Sequence, residues 1–109
     1  MPHRPYREGM TITVTILFDA AEGQRDALIA KMIQIMPETL AYEGCERLNF
    51  AECTDESGSF VLVEDWQSEQ HYEAYKAWRA ESGTSVLASG LVGGRPQTEM
   101  FNSLEVQSS

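Results

Sequence analysis

The residues best equipped for chemistry gather in one stretch: Glu64, Trp66, His71, Tyr72, Tyr75, Trp78 and Arg79. Phenol and imidazole groups beside aromatic rings suit the holding of a flat substrate and the transfer of one proton. Trp66 can wall a pocket and offer its indole N–H to a bound oxygen. Tyr72 can hydrogen-bond or deprotonate a phenolic group. His71 is the only histidine outside the opening residues. Its reference pKa of about 6.5 makes it the natural proton acceptor near neutral pH. Arg79 can receive an anionic oxygen. Leu62 and Glu64 share the side of Trp66, and Asn49 adds a polar group on the preceding strand. Each also has a structural reading. Trp66 can simply close the core, Tyr72 can make an edge contact, and Tyr75 with Trp78 can be core packing. His71 in a first helical turn can stand half exposed, and Arg79 can sit exposed near the negative end of a helix dipole. A carboxylate at Glu64 must be paired or solvated.

These residues are set by a strand that runs straight into a helix. In Ser59 to Trp66, alternation places Phe60, Leu62, Glu64 and Trp66 on one side and Val61, Val63 and Asp65 on the other. The period then changes: Ser68 can cap the next helix, Glu69 favours its positive end, and the apolar positions become Ala74, Tyr75 and Trp78. The corner between the two elements brings Trp66 beneath His71, Tyr72 and Tyr75.

Around this corner the chain supplies five further elements. Residues 1–9 contain two prolines, carry charge and lack periodicity, which predicts a loose tail. Met10 to Phe18 alternates Ile12, Val14 and Ile16 with threonines and predicts a strand. Leu28, Ile29, Met32, Ile33 and Met36 mark an amphipathic helix from Gln24, with a kink or a restart expected at Pro37 and an end at Gly44. Cys45 to Cys53 predicts a strand, Thr54 to Ser59 a hairpin turn, and Thr84 to Val92 a short helix. Thr98 to Val106 predicts a last strand, and 107–109 a short C-terminal tail. The order strand, helix, strand, strand, helix, strand is that of the ferredoxin-like α+β fold: a four-stranded antiparallel sheet with both helices on one face. The other face, with Val61 and Val63, then needs cover, and a second copy of the chain supplies it as a homodimer joined sheet to sheet.

Composition narrows the partners. A chain of 109 residues with 42% hydrophobic content builds one domain, over 10–106. Its 17 acidic and 8 basic residues give a net charge of -9, which repels phosphate backbones and anionic lipids and argues against nucleic acid. No run approaches the roughly 20 apolar residues of a membrane span, and the start lacks the apolar block of a signal peptide. A soluble, cytoplasmic protein is expected. Cys45 and Cys53 make neither a disulfide framework nor a zinc site and are read as buried thiols.

Three groups of residues together resemble the antibiotic biosynthesis monooxygenase family over roughly residues 11 to 106. They are Glu43-Gly44-Cys45, then Phe60 to Trp66, then Ser68-Glu69-Gln70. The resemblance implies the dimeric α+β barrel, a pocket between helices and sheet, and a spread of activities. These include cofactor-free oxygenation of anthrones and quinols, and haem degradation. Anthrone-oxidising members are similar in a tryptophan at Trp66 and a tyrosine at Tyr72, but carry asparagine where this chain has Leu62. A leucine cannot hydrogen-bond a substrate oxygen. The haem-degrading branch pairs a helical tryptophan with a histidine ten residues on and an asparagine on the first strand. Trp78 is followed at that distance by Ala88, Trp66 by Lys76, and the first strand has no asparagine, so haem is disfavoured.

The expectation is therefore a monooxygenase or oxidase that uses O₂ and no cofactor on a small electron-rich aromatic, a quinol or polycyclic phenol. Tyr72, His71 and Trp66 would be catalytic. Tyr75, Trp78, Leu62, Glu64, Asn49 and Arg79 would bind substrate. The alternative is a non-catalytic dimeric module that holds a small apolar ligand.

Overall fold

The computed structural model describes residues 6–106, with side chains for 11–104. In chain order it contains β1 (Tyr6–Ala20), α1 (Arg25–Ala41), β2 (Cys45–Glu52), β3 (Ser59–Trp66), α2 (Glu69–Ser82), a 3₁₀ turn (Val86–Ala88) and β4 (Val92–Val106). The strands form one antiparallel sheet in the order β2-β3-β1-β4, the ferredoxin-like arrangement that the element order predicts. Alternation along β1 and β3 decides the core. Ile12, Val14, Ile16 and Phe18 are buried with Phe60, Leu62 and Trp66 on the helix side. Leu28, Met32, Ile35 and Thr39 of α1 close over them. Burying side chains the size of Leu28 or Met32 stabilises the fold by about 1.5–3 kcal/mol each.

Several boundaries differ from the sequence expectation, each for a local reason. β1 starts at Tyr6 rather than Met10, because Tyr6, Arg7 and Glu8 pair with Val106, Glu105 and Leu104 of β4. The rest of the expected N-terminal tail, 1–5, and the C-terminal tail, 107–109, lie outside the described residues. Pro37 sits inside an unbroken α1. The carbonyl it leaves without a helical donor belongs to Ile33, which is exposed, so solvent can satisfy it. Ile33 is thus on the outer side of α1, not the apolar stripe.

The helix expected over 84–92 shortens to three residues, since Gly90 adopts a φ of 83° that ends it. β4 then begins at Val92 rather than Thr98. A register shift opposite Leu17 and Asp19 accommodates Pro96, which an edge strand tolerates. Both cysteines are free. Cys53 is exposed rather than buried, while burial pushes the half-buried Cys45 thiol up to about 11. Among the described residues no helix is long and apolar enough to cross a membrane.

Candidate functional site

A cavity of about 200 Å³ opens between the sheet and the two helices. Its floor is Ile16 and Phe18 of β1, Leu48 of β2, and Leu62 with Glu64 of β3. Its roof includes Met32 and Thr39 from α1 and Tyr72, Tyr75 and Lys76 from α2, with Ser85 to Leu87 at one end. Ser68 fixes the start of α2: its hydroxyl accepts from the His71 backbone N–H at 3.1 Å, as the sequence predicts for a cap. The helix ends at Gly83, whose φ of 68° is the left-handed terminus that glycine allows.

Glu64 is the one acidic group among the lining residues. It is only 2% exposed, and Trp66, with no exposure at all, donates from Nε1 to Glu64 Oε1 at 2.9 Å. The two side chains share a strand face two residues apart, so the indole lies beneath the carboxyl and holds it. Among the described residues no other group donates to that carboxyl. Burial raises the Glu64 pKa above the ordinary carboxylate value, while the Trp66 hydrogen bond and the Arg79 charge partly oppose the rise. The result is a fixed, desolvated carboxyl facing an apolar chamber.

Arg79 is buried, at 4% exposure, and so is not the exposed helix-end residue that one sequence reading allowed. Its Nε donates to Tyr75 Oη at 2.9 Å, and its Nη1 to Glu38 at 3.0 Å and Thr84 Oγ1 at 3.1 Å. Its Nη2 donates to the Ile35 carbonyl at 3.2 Å and Thr39 Oγ1 at 2.9 Å. A guanidinium has five N–H donors, and all five are occupied. Arg79 therefore ties α1, α2 and the segment after α2 together with no donor left for a ligand.

Tyr72 is buried and lines the cavity, its ring 5.8 Å from that of Trp66. Burial first, and the Glu64 charge second, raise its pKa, so it is a phenol and not a phenolate at neutral pH. Tyr75 also lines the cavity, 4.9 Å from Trp66 between ring centroids.

The cavity thus brings together Leu62, Glu64, Tyr72, Tyr75 and Arg79, with Trp66 directly behind. His71, Trp78 and Asn49 are not among its lining residues. The His71 ring bonds through Nδ1 to Ser68 Oγ at 2.6 Å and packs on Gly44. Trp78 packs on Tyr42, 5.3 Å between centroids, and under the Arg79 guanidinium at 4.7 Å. Asn49 pairs with Val63 and is exposed on the far face of the sheet. Sequence reasoning passed over Thr39 and Lys76. Thr39 had a signal: it is the hydroxyl on the stripe Leu28, Met32, Ile35, Thr39, where every other member is apolar. Among the described residues no group of three or more His, Cys, Asp or Glu is placed to hold a metal ion.

Among solved structures, protein SO0527 from Shewanella oneidensis superposes with a TM-score of 0.77 at 22% identity, covering 93% of this chain and 99% of its own. SnoaB, a cofactor-independent oxygenase from Streptomyces nogalater in a mutant form, superposes at 0.74 with 13% identity over 87% of this chain and 94% of that one. A possible oxidoreductase from Bacteroides thetaiotaomicron gives 0.73 at 18% identity, over 87% of this chain and 99% of that one. At these identities the likeness is one of fold. No protein of curated function matches in sequence. The family model for antibiotic biosynthesis monooxygenase, however, matches residues 11–80, which contain β1 from Thr11, α1, β2, β3 and most of α2 with its corner. On that match the chain belongs to the antibiotic biosynthesis monooxygenase family.

Proposed function

We propose that the protein is a cofactor-independent monooxygenase or oxidase of a small electron-rich aromatic, a quinol or polycyclic phenol, with Glu64 rather than His71 as the proton acceptor. The observation that carries this reading is the Glu64 carboxyl, buried, held by Trp66 at 2.9 Å and facing an apolar cavity. A base works best with a pKa drawn toward the working pH, and burial moves Glu64 in that direction. Glu64 takes the hydroxyl or acidic C–H proton of the bound aromatic. The resulting anion passes an electron to O₂, so the substrate supplies its own reducing power. A quinol gives two electrons and two protons to O₂ and leaves as quinone, with hydrogen peroxide as the other product. An anthrone methylene becomes a carbonyl, the second oxygen atom leaving as water. Tyr72, Tyr75 and Leu62 hold the ring, and Trp66 fixes the base.

The protein would act as a homodimer joined through the sheet. Leu17 and Phe101 are about half exposed on the face away from the helices, beside the half-buried Val61 and Val63. Contiguous apolar side chains on one sheet face are what a protein contact would cover.

The test is incubation of the purified protein with quinol and anthrone substrates, following quinone absorbance and O₂ uptake without added flavin or metal. Turnover that Glu64→Gln lowers by about 10²-fold or more is the expected result. A second reading, a non-catalytic carrier of a small apolar ligand, is favoured by Leu62, an inert wall where anthrone-oxidising relatives have an amide. Ligand binding without O₂ uptake for any of these substrates would select it.

A further inference from the structure

We propose that Thr39 and Tyr75, aimed by the buried Arg79, form a hydrogen-bond donor site in the cavity roof for an oxygen atom of the ligand, the atom on which negative charge develops. This rests on the reading of the cavity as the place where an aromatic oxygen compound binds. Arg79 spends one N–H on Tyr75 Oη and one on Thr39 Oγ1, and guanidinium nitrogens only donate. The two hydroxyls share a single hydrogen bond, at 2.7 Å, in which either can be the donor. Two hydroxyl protons and one shared bond leave one proton over. If Thr39 donates to Tyr75, the Tyr75 proton is free. If Tyr75 donates to Thr39, the Thr39 proton is free. Among the described residues neither hydroxyl makes a further hydrogen bond, and both residues line the cavity.

In either arrangement the roof presents an O–H to the chamber, backed by a guanidinium. A buried O–H without an acceptor is costly, and a ligand oxygen relieves that cost. The same donor strengthens as negative charge grows on that oxygen after the proton leaves toward Glu64, which is the behaviour of an oxyanion site. Sheet floor and helix roof then divide the work: a carboxyl below to accept the proton, and a hydroxyl pair above to hold the oxygen. Tyr75 and Thr39 would touch the ligand, and Arg79 would act only by positioning them.

The count gives an unusual signature. In Tyr75→Phe the Thr39 hydroxyl keeps its Arg79 bond and its own proton becomes the spare one. In Thr39→Val the same holds for Tyr75. Each single variant therefore retains one donor, and only the double variant removes both. Turnover of the quinol is expected to fall less than about tenfold in either single variant and about 100- to 1,000-fold in Thr39→Val/Tyr75→Phe, the cost of losing one such donor.

A second readout does not depend on turnover. With 1-indanone, an inert bicyclic ketone, as the probe, the carbonyl stretch should move to lower frequency on binding to the wild type and both single variants. It should stay at its unbonded position in the double variant. Thr39→Ser/Tyr75→Phe, which restores a hydroxyl, should recover the shift. An unshifted or unbound carbonyl in the wild type overturns the assignment even if the double variant fails to fold, as does a shift that persists in a folded double variant. Should the ketone follow this pattern while no substrate consumes O₂, the donor site stands and the oxygenase reading falls. Should turnover occur and ignore the double substitution, the reverse holds.

Discussion

The Trp66 indole N–H donates to Glu64 Oε1 at 2.9 Å, and both side chains are nearly or wholly removed from solvent. The bond favours the ionised carboxylate, against a larger burial effect that disfavours it. With Glu64 as the base, activity requires the carboxylate, so the pH–rate profile should show an acid limb with its midpoint above the ordinary carboxylate range. Glu64→Gln should lower kcat by about 10²- to 10⁴-fold. Trp66→Phe deletes the donor that favours ionisation, so its acid limb should move to higher pH. A limb that stays in place in Trp66→Phe would separate the indole from the titrating group.

The same carboxyl makes stability depend on pH in a predictable sense. Its folded-state pKa is raised, so the native state holds the proton more tightly than the unfolded chain. The stabilising contribution of the neutral form is complete below the unfolded pKa and is lost as pH rises through the folded one. Glu64→Gln keeps an oxygen for the Trp66 N–H and cannot ionise. Relative to wild type, its melting temperature should therefore rise with increasing pH and level off above the folded pKa. Thermal melts at a series of pH values read this directly, and a constant difference would contradict it.

Arg79 carries its five donors into a buried junction of α1, α2 and Thr84. Lysine keeps the charge but brings three donors on one nitrogen and cannot span the same acceptors. Arg79→Lys should lower stability by about 1–3 kcal/mol, the cost of buried polar groups left unpaired. Urea midpoints measure it. An unchanged midpoint would show the network to be replaceable.

The outline of this fold is written in the sequence because period-2 and period-3.6 patterns are local. Ile12, Val14, Ile16 and Phe60, Leu62, Trp66 announce their faces without reference to the rest of the chain. The corner from Trp66 to Ser68 is legible for the same reason, and with it the aromatic wall. What the pattern does not carry is which turn of a helix faces the sheet. Tyr72, Tyr75 and Arg79 lie three and four apart and point inward, yet an arginine on such a stripe reads as solvent-facing until its partners Glu38, Thr39 and Ile35 are known. Those partners lie about forty positions away in the chain. Likewise His71 looks catalytic by chemistry alone, and only the close approach of Gly44 shows where its ring is lodged.

Gly44 has a φ of 93°, and a Cβ there would overlap the His71 ring. Gly44→Ala should therefore destabilise the fold twice over: by about 1–2 kcal/mol for the left-handed backbone, and further for the overlap. His71→Ala in the same chain removes the second part but not the first. The double variant should accordingly be more stable than the sum of the single effects. His71→Ala alone should leave kcat and the acid limb unchanged, because the ring is turned away from the cavity. Loss of turnover in His71→Ala would return the proton to the imidazole.

The face of the sheet away from the helices sets the last expectation. Val61 pairs with Leu17 and Val63 with Thr15 in the middle of the sheet, while Thr13, Asp65 and Arg47 form a polar cluster toward one end. An apolar centre with a polar margin is the anatomy of a protein interface. β1 and β4, at fifteen residues each, also run past the eight-residue β2 and β3, so their ladder extends beyond Ile12 with, among the described residues, no third strand beside it. A second copy packed on this face would cover both features. Val63→Lys places a charge at the centre of the proposed contact, where pairing would strip an ammonium of its water. Its own side chain borders solvent in a lone subunit, so the fold itself should survive. Light scattering should then give twice the chain mass for wild type and a single chain mass for the variant, with the circular dichroism spectrum retained. A wild type that already runs as one subunit, or a variant that stays paired, would remove the sheet face as the contact.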